Sequence, residues 1–413
     1  MRVAATLLFL LLSSDAEGGW GGGLTCPKGW IGGGLTPCSP SYAFFEFAPV
    51  SGAGMGAACA GTTPTGAKGE TLTFTRASGA SCTKGNPTTG IANGDLVYFP
   101  TSNVPRVMPG DSSGINGLLV ESSRTNSFLQ SQALDNVAWS GFNLSSSNPV
   151  VTADQAVGPD GTTTAERVDY PAVAAGQQSG LYQTLASAAY TLSFYVKGVS
   201  GSGTLDLCWT GGTCTGTCAY TSTSWTRCAT ALPATTTPLI SSYNGRSAQS
   251  VYIWGAQAEA GAYATSYIPT TSAAVTRAAE RGTISGLAPA ITNAASVAAT
   301  WVTPAALVGQ TPLLVQNIFE LQTTSTTLRA FHYPSGVWQS DGTMTPSTSW
   351  RVAGYADGTN KAACANGVCT TSAGTGAFTG SPWSVDIGSE VGALQADGVI
   401  KQICIDPSPT RCR

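Results

Sequence analysis

The side chains that most often do chemistry in enzymes are sparse in this sequence of 413 residues. It holds a single histidine, so a Ser-His-Asp or Cys-His site depends entirely on His332. The residues around it, 329–333, predict a strand, and we expect His332 on the face of a sheet. Glycoside hydrolysis needs two carboxyl groups at a set separation. Glu259, close to Gln257 and Trp254, is the acidic residue best placed for such a role, but no second acid can be assigned to it. The sequence therefore predicts no catalytic residue.

A sugar-binding site is expected to contain aromatic side chains, because flat sugar faces stack on Trp and Tyr. Trp209, Tyr220 and Trp225 fall close together around the cysteine-rich segment 208–228, and Trp350 lies further along the chain. We take these four as candidate glycan-binding residues. The alternative is that their rings pack in the core, where each would bury a large apolar area.

Aspartates in turn-forming contexts are the only candidates for a metal site. Asp154, Asp160, Asp357 and Asp397 all lie next to turn residues, and oxygen ligands from such loops bind Ca²⁺. Their number and spacing fall short of a dedicated calcium loop. We expect turn-forming aspartates and no cofactor, with a structural Ca²⁺ ion as the alternative.

The twelve cysteines indicate disulfides and an oxidising compartment. Zinc is disfavoured because it needs close ligand quartets, and the sequence has one histidine and no CxxC pair. Proximity along the chain suggests these pairs, although sequence cannot fix connectivity: Cys26 with Cys38, Cys59 with Cys82, Cys208 with Cys228, Cys214 with Cys218, Cys364 with Cys369, and Cys404 with Cys412.

Charged residues make up 10% of the chain and the net charge is −3. Nucleic-acid binding needs a basic stripe, and no Lys/Arg cluster exists here, so we expect no nucleic-acid partner. The same balance gives no support to membrane binding. In place of charged residues the chain is rich in Gly, Ser, Thr, Ala and Pro. This composition suits a rigid β-structure held together by backbone hydrogen bonds between strands.

The N-terminal region divides into two parts. Residues 1–16 combine Arg2, an apolar run and a small-x-small site, which is typical of a secretion signal. If it is retained, the alternative is an apolar strand or plug that docks into a larger assembly. Residues 17–116 begin Gly-rich with scattered aromatics, and we expect an irregular arm used for attachment.

Short strands separated by turn residues fill the rest of the chain. The segment 190–197 alternates with a period of two, which is the pattern of a strand, and 203–209 continues it. No segment shows a sustained helical period. The sequence therefore predicts an all-β protein: two tandem antiparallel β-sandwich (jelly-roll) domains, residues 117–279 and 280–413, behind the irregular arm.

Two stretches, GLLVESSRTN from residue 117 and YIWGAQAEAGAYATSYIPT from residue 252, resemble the ends of a carbohydrate-binding-module-like β-sandwich. That module recurs in structural proteins of tailed phages and prophages. The matching positions are Glu121, Arg124, Thr125, Asn126, Asn136, Trp139, Trp254, Gly255, Gln257, Glu259, Ala260, Gly261, Thr265, Ser266, Tyr267, Ile268, Pro269, Thr270, Arg277 and Ala278. The resemblance implies opening and closing strands, with Trp139, Trp254 and Glu259 kept for structure. Residues 74–78 and 105–106 resemble the lead-in to this module.

Residues 280–413 resemble a concanavalin-like or laminin-G-like jelly roll. Its marks are a strand from Ser349 that ends at Asp357-Gly358, a second hairpin at Asn366-Gly367, and a closing strand over 398–405. Asn-Gly and Asp-Gly suit type I′ turns, which need φ > 0 at both central positions.

Together these resemblances imply a non-enzymatic virion protein, a head-fibre, tail-fibre or decoration subunit on the virion surface. We expect the arm to bind other virion proteins, the chain to form a homo-oligomer such as a trimer, and the sandwiches to meet host glycans. The first alternative is a secreted or surface-anchored bacterial carbohydrate-binding protein. The second is a glycan hydrolase.

Overall fold

The computed structural model describes residues 43–46, 70–83, 91–108, 117–211, 213–287, 295–304, 307, 310–315, 319–324, 326–332, 337–356, 359–366, 368–373, 383–388 and 397–406. The signal-like segment 1–16, most of the arm, Asp357 and five cysteines (Cys26, Cys38, Cys59, Cys412 and the side chain of Cys404) lie outside this description.

Every regular element in the described part of the chain is a β-strand. The strands before the first sandwich are β1 (Ala43–Glu46), β2 (Thr71–Thr75), β3 (Ala80–Thr83), β4 (Leu96–Phe99), β5 (Arg106–Met108), β6 (Gly117–Val120) and β7 (Arg124–Asn126). The strands that follow are β8 (Ser140–Leu144), β9 (Val150–Ala156), β10 (Ala165–Tyr170), β11 (Gln178–Tyr182), β12 (Ala188–Gly198), β13 (Ser202–Trp209), β14 (Gly216–Thr221), β15 (Thr226–Thr235), β16 (Pro238–Tyr243), β17 (Gln249–Ala260) and β18 (Val275–Arg277). The last group is β19 (Arg281–Leu287), β20 (Ala295–Val302), β21 (Gln310–Val315), β22 (Phe319–Thr324), β23 (Thr327–His332), β24 (Val337–Thr343), β25 (Ser349–Ala356), β26 (Asn360–Ala365), β27 (Val368–Ala373), β28 (Trp383–Ile387) and β29 (Gly398–Asp406).

The first sandwich packs two five-stranded sheets, with strand orders β15-β12-β17-β10-β9 and β14-β13-β16-β11-β8. All pairings are antiparallel. Alternation in β12 places Leu192, Phe194 and Val196 on the inner face, where all three are fully buried. They pack with Leu205 and Ile240 of the opposite sheet, so one apolar layer holds the two sheets together.

The second sandwich packs an eight-stranded sheet, β27-β26-β25-β20-β29-β6-β5 with β1 also on β29, against a seven-stranded sheet, β2-β19-β28-β21-β22-β23-β24. Its core joins Val297, Val352 and Ile403 from the larger sheet to Ile284 and Val385 from the smaller one. The all-β, antiparallel fold class is therefore confirmed. So are the hairpin at Asn366, with φ of 49°, and the closing strand β29.

The strand pairing departs from the predicted domain boundaries. We expected residues 17–116 to form a separate arm, but β2 pairs with β19, and β5 and β6 extend the sheet through β29. Of the described strands of that region, β1, β2 and β5 therefore join the sheets of the second sandwich, whereas β3 and β4 form a two-stranded sheet of their own. The first sandwich is an insertion between β6 and β19, and the chain enters and leaves it through the two-stranded pair β7–β18. We call this pair the neck.

The disulfides are partly those expected. Cys364 and Cys369 are joined across the β26–β27 hairpin, as predicted. The predicted bridges Cys208–Cys228 and Cys214–Cys218 were wrong, because the structure joins Cys208 to Cys214 and Cys218 to Cys228. The reason is the packing of the two sheets: Cys218 on β14 and Cys228 on β15 lie on edge strands of opposite sheets, and spacing along the chain does not show that these strands meet. Cys82 is also disulfide-bonded.

No helix in the described ranges has the length and hydropathy to cross a membrane.

Candidate functional site at the junction of the sandwiches

The neck stands on a buried ion network built from motif residues. Arg106 Nη2 lies 2.7 Å from Glu121 Oε2 and also contacts Glu280 Oε2. Arg76 Nη1 lies 2.7 Å from Glu280 Oε1, and Arg277 Nη1 lies 3.0 Å from Glu121 Oε2. All five side chains are buried. Burial alone would raise the pKa of Glu121, but Arg277, Arg106 and hydrogen bonds from Ser266 outweigh it and hold that pKa well below its usual range.

The segment 265–270 crosses the end of the first sandwich and is fixed by three buried polar side chains. Gln257 Oε1 accepts a hydrogen bond of 2.7 Å from the backbone N–H of Ile268. Glu259 accepts from both the backbone N–H and the hydroxyl of Thr265. Asn126 donates to the carbonyl of Ile268 at 2.9 Å. These contacts place the hydroxyls of Thr265 and Ser266 in a defined position beside the neck.

A cavity of about 230 Å³, partly open to solvent, lies between this segment, the β3–β4 hairpin and β12. Its walls are mainly apolar, and Ile91, Leu96, Leu119, Tyr195 and Tyr267 belong to them. Its polar lining in the described chain comes from Ser81, Thr83, Glu121, Arg227, Thr265 and Ser266. An apolar wall with a few convergent polar groups is the usual composition of a small-molecule site.

A second cavity, of about 290 Å³, adjoins the first. It lies along β15 and segment 262–264, and its described lining includes Thr191, Thr230 and Tyr263. Arg227 and Ala264 belong to both cavities, so the Arg227 side chain stands at their boundary. We call the two together the Arg227 cavity.

The guanidinium of Arg227 is held by hydrogen bonds from only one of its nitrogens within the described chain. Its Nη2 donates to the carbonyl of Thr265 and, at 3.3 Å, to the hydroxyl of Ser193. Its Cζ lies 5.5 Å from the ring centroid of Tyr195. The Nε is buried and has no hydrogen-bond partner within the described chain. Burial raises the pKa of Tyr195, although Arg227 opposes that shift.

The predicted glycan-binding aromatics are not brought together. Tyr220 and Trp225 are 4% and 1% exposed. Their rings pack in the core, and their polar atoms bond to Gln249 and Asn93. These two predictions are corrected, because a buried ring offers no face for a sugar to stack on.

Trp209 and Trp350 are half-buried and belong to different sandwiches. Trp209 packs on the first core beside the Cys208–Cys214 bridge, and Trp350 packs on the second core and donates to the hydroxyl of Thr348 at 2.6 Å. Each keeps part of its ring exposed, but the two do not form one site.

Three of the residues weighed for catalysis or metal binding have structural partners, and a fourth, Asp154, is exposed within β9. Glu259 is fully buried and bonded to Thr265. Asp160 accepts from Thr162, and Asp397 accepts from Ser122 and Tyr263. Among the described residues no group of three His, Cys, Asp or Glu side chains has a metal-binding arrangement. His332 ends β23, and its side chain lies outside the description.

Arg227 itself was missed by reasoning from sequence. The available signal was that Arg227 lies in a strand, two residues after Trp225. The next residue, Cys228, is buried on the opposite face of that strand. In a chain with so few charges, a cation within a strand needs either a partner or a function.

Comparison with known proteins assigns no family. No family model matches the chain, and no curated protein matches it. Among solved structures, domains LG4-5 of the mouse laminin alpha1 chain are similar over 55% of this chain and 85% of that chain, at 8% identity and a TM-score of 0.24. A TM-score of that size supports no argument about function.

Proposed function

We propose that this chain is a non-enzymatic binding and attachment protein whose Arg227 cavity takes a sugar residue of a surface glycan. The observation that carries the proposal is the cavity itself. It has an apolar and aromatic wall beside a cation and several hydroxyls, at a junction that the ion network holds in place. Apolar walls suit the carbon face of a pyranose, and convergent hydroxyls suit its polar edge.

Attachment without chemistry is supported by how the motif acids are used. Glu121 and Glu280 are paired with arginines, and Glu259 is bonded to Thr265. Each of these carboxylates stabilises the junction of the sandwiches. A general acid would need a carboxyl group within hydrogen-bond reach of the sugar oxygen that it protonates.

The proposed setting is the surface of a phage or prophage virion, on a head fibre, tail fibre or decoration protein. It is supported by the resemblance of residues 117–140 and 252–279 to phage structural proteins. The proposal includes attachment of the N-terminal region to other virion proteins and assembly as a homo-oligomer such as a trimer.

The second candidate is a secreted or surface bacterial carbohydrate-binding protein, and the disulfides favour it. The bridges Cys208–Cys214, Cys218–Cys228 and Cys364–Cys369 suit an oxidising, extracellular setting. Both candidates share the sugar-binding cavity and differ in where the protein resides.

Two experiments test these proposals. The full chain, displayed multivalently on a glycan array, is expected to bind a restricted set of bacterial surface glycans, and binding to none would contradict the sugar-binding role. Immunogold imaging and proteomics of purified phage particles from an induced lysogen that carries the gene address the setting. The protein is expected in the particles, and its recovery only from the particle-free culture medium would favour the secreted candidate.

A further inference from the structure

Arg227 differs from the other arginines at the junction in its lack of an acidic partner. Arg76, Arg106 and Arg277 each pair with Glu121 or Glu280 at 3.0 Å or less. Within the described chain no carboxylate forms an ion pair with Arg227. An arginine carries five N–H donors, and Nη2 alone has partners in the described chain. A partly buried cation with free donors is costly unless something satisfies it.

The Arg227 side chain, whose Nη1 has no partner within the described chain, lines both of these cavities, which are partly open to solvent. The wall near them is the ring of Tyr195, which is 1% exposed and packs edge-on against Trp254 and Tyr267. The hydroxyl of Tyr195 also has no hydrogen-bond partner in the described chain, and Tyr195 lines the first cavity together with Ser266. The site therefore offers one cation, a hydroxyl and a rigid aromatic wall.

We propose that the Arg227 cavity selects a carboxylate-bearing sugar residue, a uronic acid of an acidic polysaccharide, whose carboxylate pairs with the Arg227 guanidinium. This inference rests on the proposed sugar-binding function and adds the charge of the ligand. The Nη1 group, which has no partner within the described chain, can donate to a carboxylate oxygen, and charge-assisted hydrogen bonds are about twice as strong as neutral ones. Cavities of about 230 and 290 Å³ suit one sugar residue each, with the chain of the polysaccharide continuing between them.

Carboxylate is favoured over phosphate by the remaining charges of the site. Glu121 lines the first cavity, so the local field already contains an anion, although that anion is paired with Arg106 and Arg277. A phosphomonoester carries a charge near −2 and would meet a single free cation beside that carboxylate. A uronate carries one charge, which matches the single charge of Arg227.

The test is calorimetric titration of the full chain with a uronic-acid trisaccharide, the matching carboxyl-reduced trisaccharide and a sugar phosphate. The wild type is expected to bind the uronate about 10- to 100-fold more tightly than the reduced sugar, with an affinity that falls as salt rises. Arg227→Met keeps the aliphatic stem over Tyr195 and is expected to remove that preference. Arg227→Lys keeps the charge but not the planar guanidinium, and it is expected to retain part of that preference.

The matched control is Arg167→Met, since Arg167 is half-exposed, pairs with Asp169 and lies outside both cavities. It is expected to leave uronate binding unchanged, and thermal unfolding checks that each variant is folded. Equal wild-type affinity for the uronate and the reduced sugar would overturn the charge selection while the proposed function stands. Tighter binding of the sugar phosphate would do the same. The absence of any glycan binding, here and on the array, would overturn both.

Discussion

Glu166 is a single buried carboxyl group whose surroundings determine its charge. It is 1% exposed, and its Oε2 has no hydrogen-bond partner in the described chain. It lies where β10 faces the bulge of β9, at which Asp154 adopts φ of 55°. Burial, followed by the charges of Asp135 and Asp154, raises the pKa of Glu166 to about 8. Folding therefore takes up a proton at this residue near neutral pH.

The variant Glu166→Gln tests this assignment. A group with a raised folded pKa contributes stability that is complete below the unfolded pKa, near 4.5, and is lost as the pH rises through about 8. The free energy of unfolding of the wild type should therefore fall over that window. Glu166→Gln should be roughly 3–5 kcal/mol more stable than the wild type at pH 8.5 and nearly equal to it at pH 4. Urea denaturation at both pH values measures this, and a difference that does not depend on pH would contradict the assignment.

At the scale of elements, one glycine shapes strand β17. Gly255 has φ of 64° and lies at a register shift between β12 and β17. This is the geometry of a β-bulge that needs a residue in the left-handed region. A Cβ added there would lie 3.2 Å from Tyr267 and 3.3 Å from Tyr195. The bulge therefore brings the backbone close to the two aromatic rings that form the cavity wall.

Gly255→Ala is expected to destabilise the protein by about 2–4 kcal/mol, from backbone strain and crowding against those rings together. Gly176→Ala is the matched control, because Gly176 has φ of 76° but nothing within 4 Å of an added Cβ. Only the strain of about 1–2 kcal/mol applies there. Chemical denaturation of both variants separates the two causes. Equal losses would show that the contact with Tyr195 and Tyr267 carries no cost.

At the scale of the whole molecule, the two sandwiches are joined by one buried ion network. Arg106 is completely buried and contacts Glu121, Glu280, the carbonyl of Ser81 and the hydroxyl of Ser266. Glu121 follows β6 and Glu280 precedes β19, so the chain enters and leaves the insertion at these two carboxylates. The network therefore couples the stability of the first sandwich to that of the second.

Arg106→Met should leave Glu121 and Glu280 with fewer counter-charges in a buried site and should cost about 3–5 kcal/mol. Calorimetry of the wild type is expected to show one cooperative transition, and the variant should show two separated ones. Arg167→Met, in a half-exposed pair, should cost about 1 kcal/mol or less and keep a single transition. A wild type that already unfolds in two steps would contradict the coupling.

Much of the local architecture could be predicted from the sequence. Alternation predicted the strand over 190–197, which β12 confirms, and Asn366 marked a hairpin that the structure contains. Trp254 was assigned to packing and is fully buried. Tyr220 and Trp225 were candidates for glycan binding, with core packing as the other interpretation, and the structure places both in the core. Turns and the alternation of side chains along a strand depend on a few neighbouring residues. The burial of a side chain depends on which distant segments of the chain pack over it.

The sequence alone determined that this protein is built of antiparallel strands, that it carries disulfides, and that residues 117–140 and 252–279 belong to one module. Only the tertiary structure decided that this module is an insertion, that Glu121 is paired with arginines, and that Arg227 has no acidic partner among the described residues. The physical reason is distance along the chain. Glu121 and Arg277 are separated by more than 150 residues and meet only because β7 and β18 pair at the neck. Whether a charged side chain has an oppositely charged partner therefore depends on the fold of the whole chain.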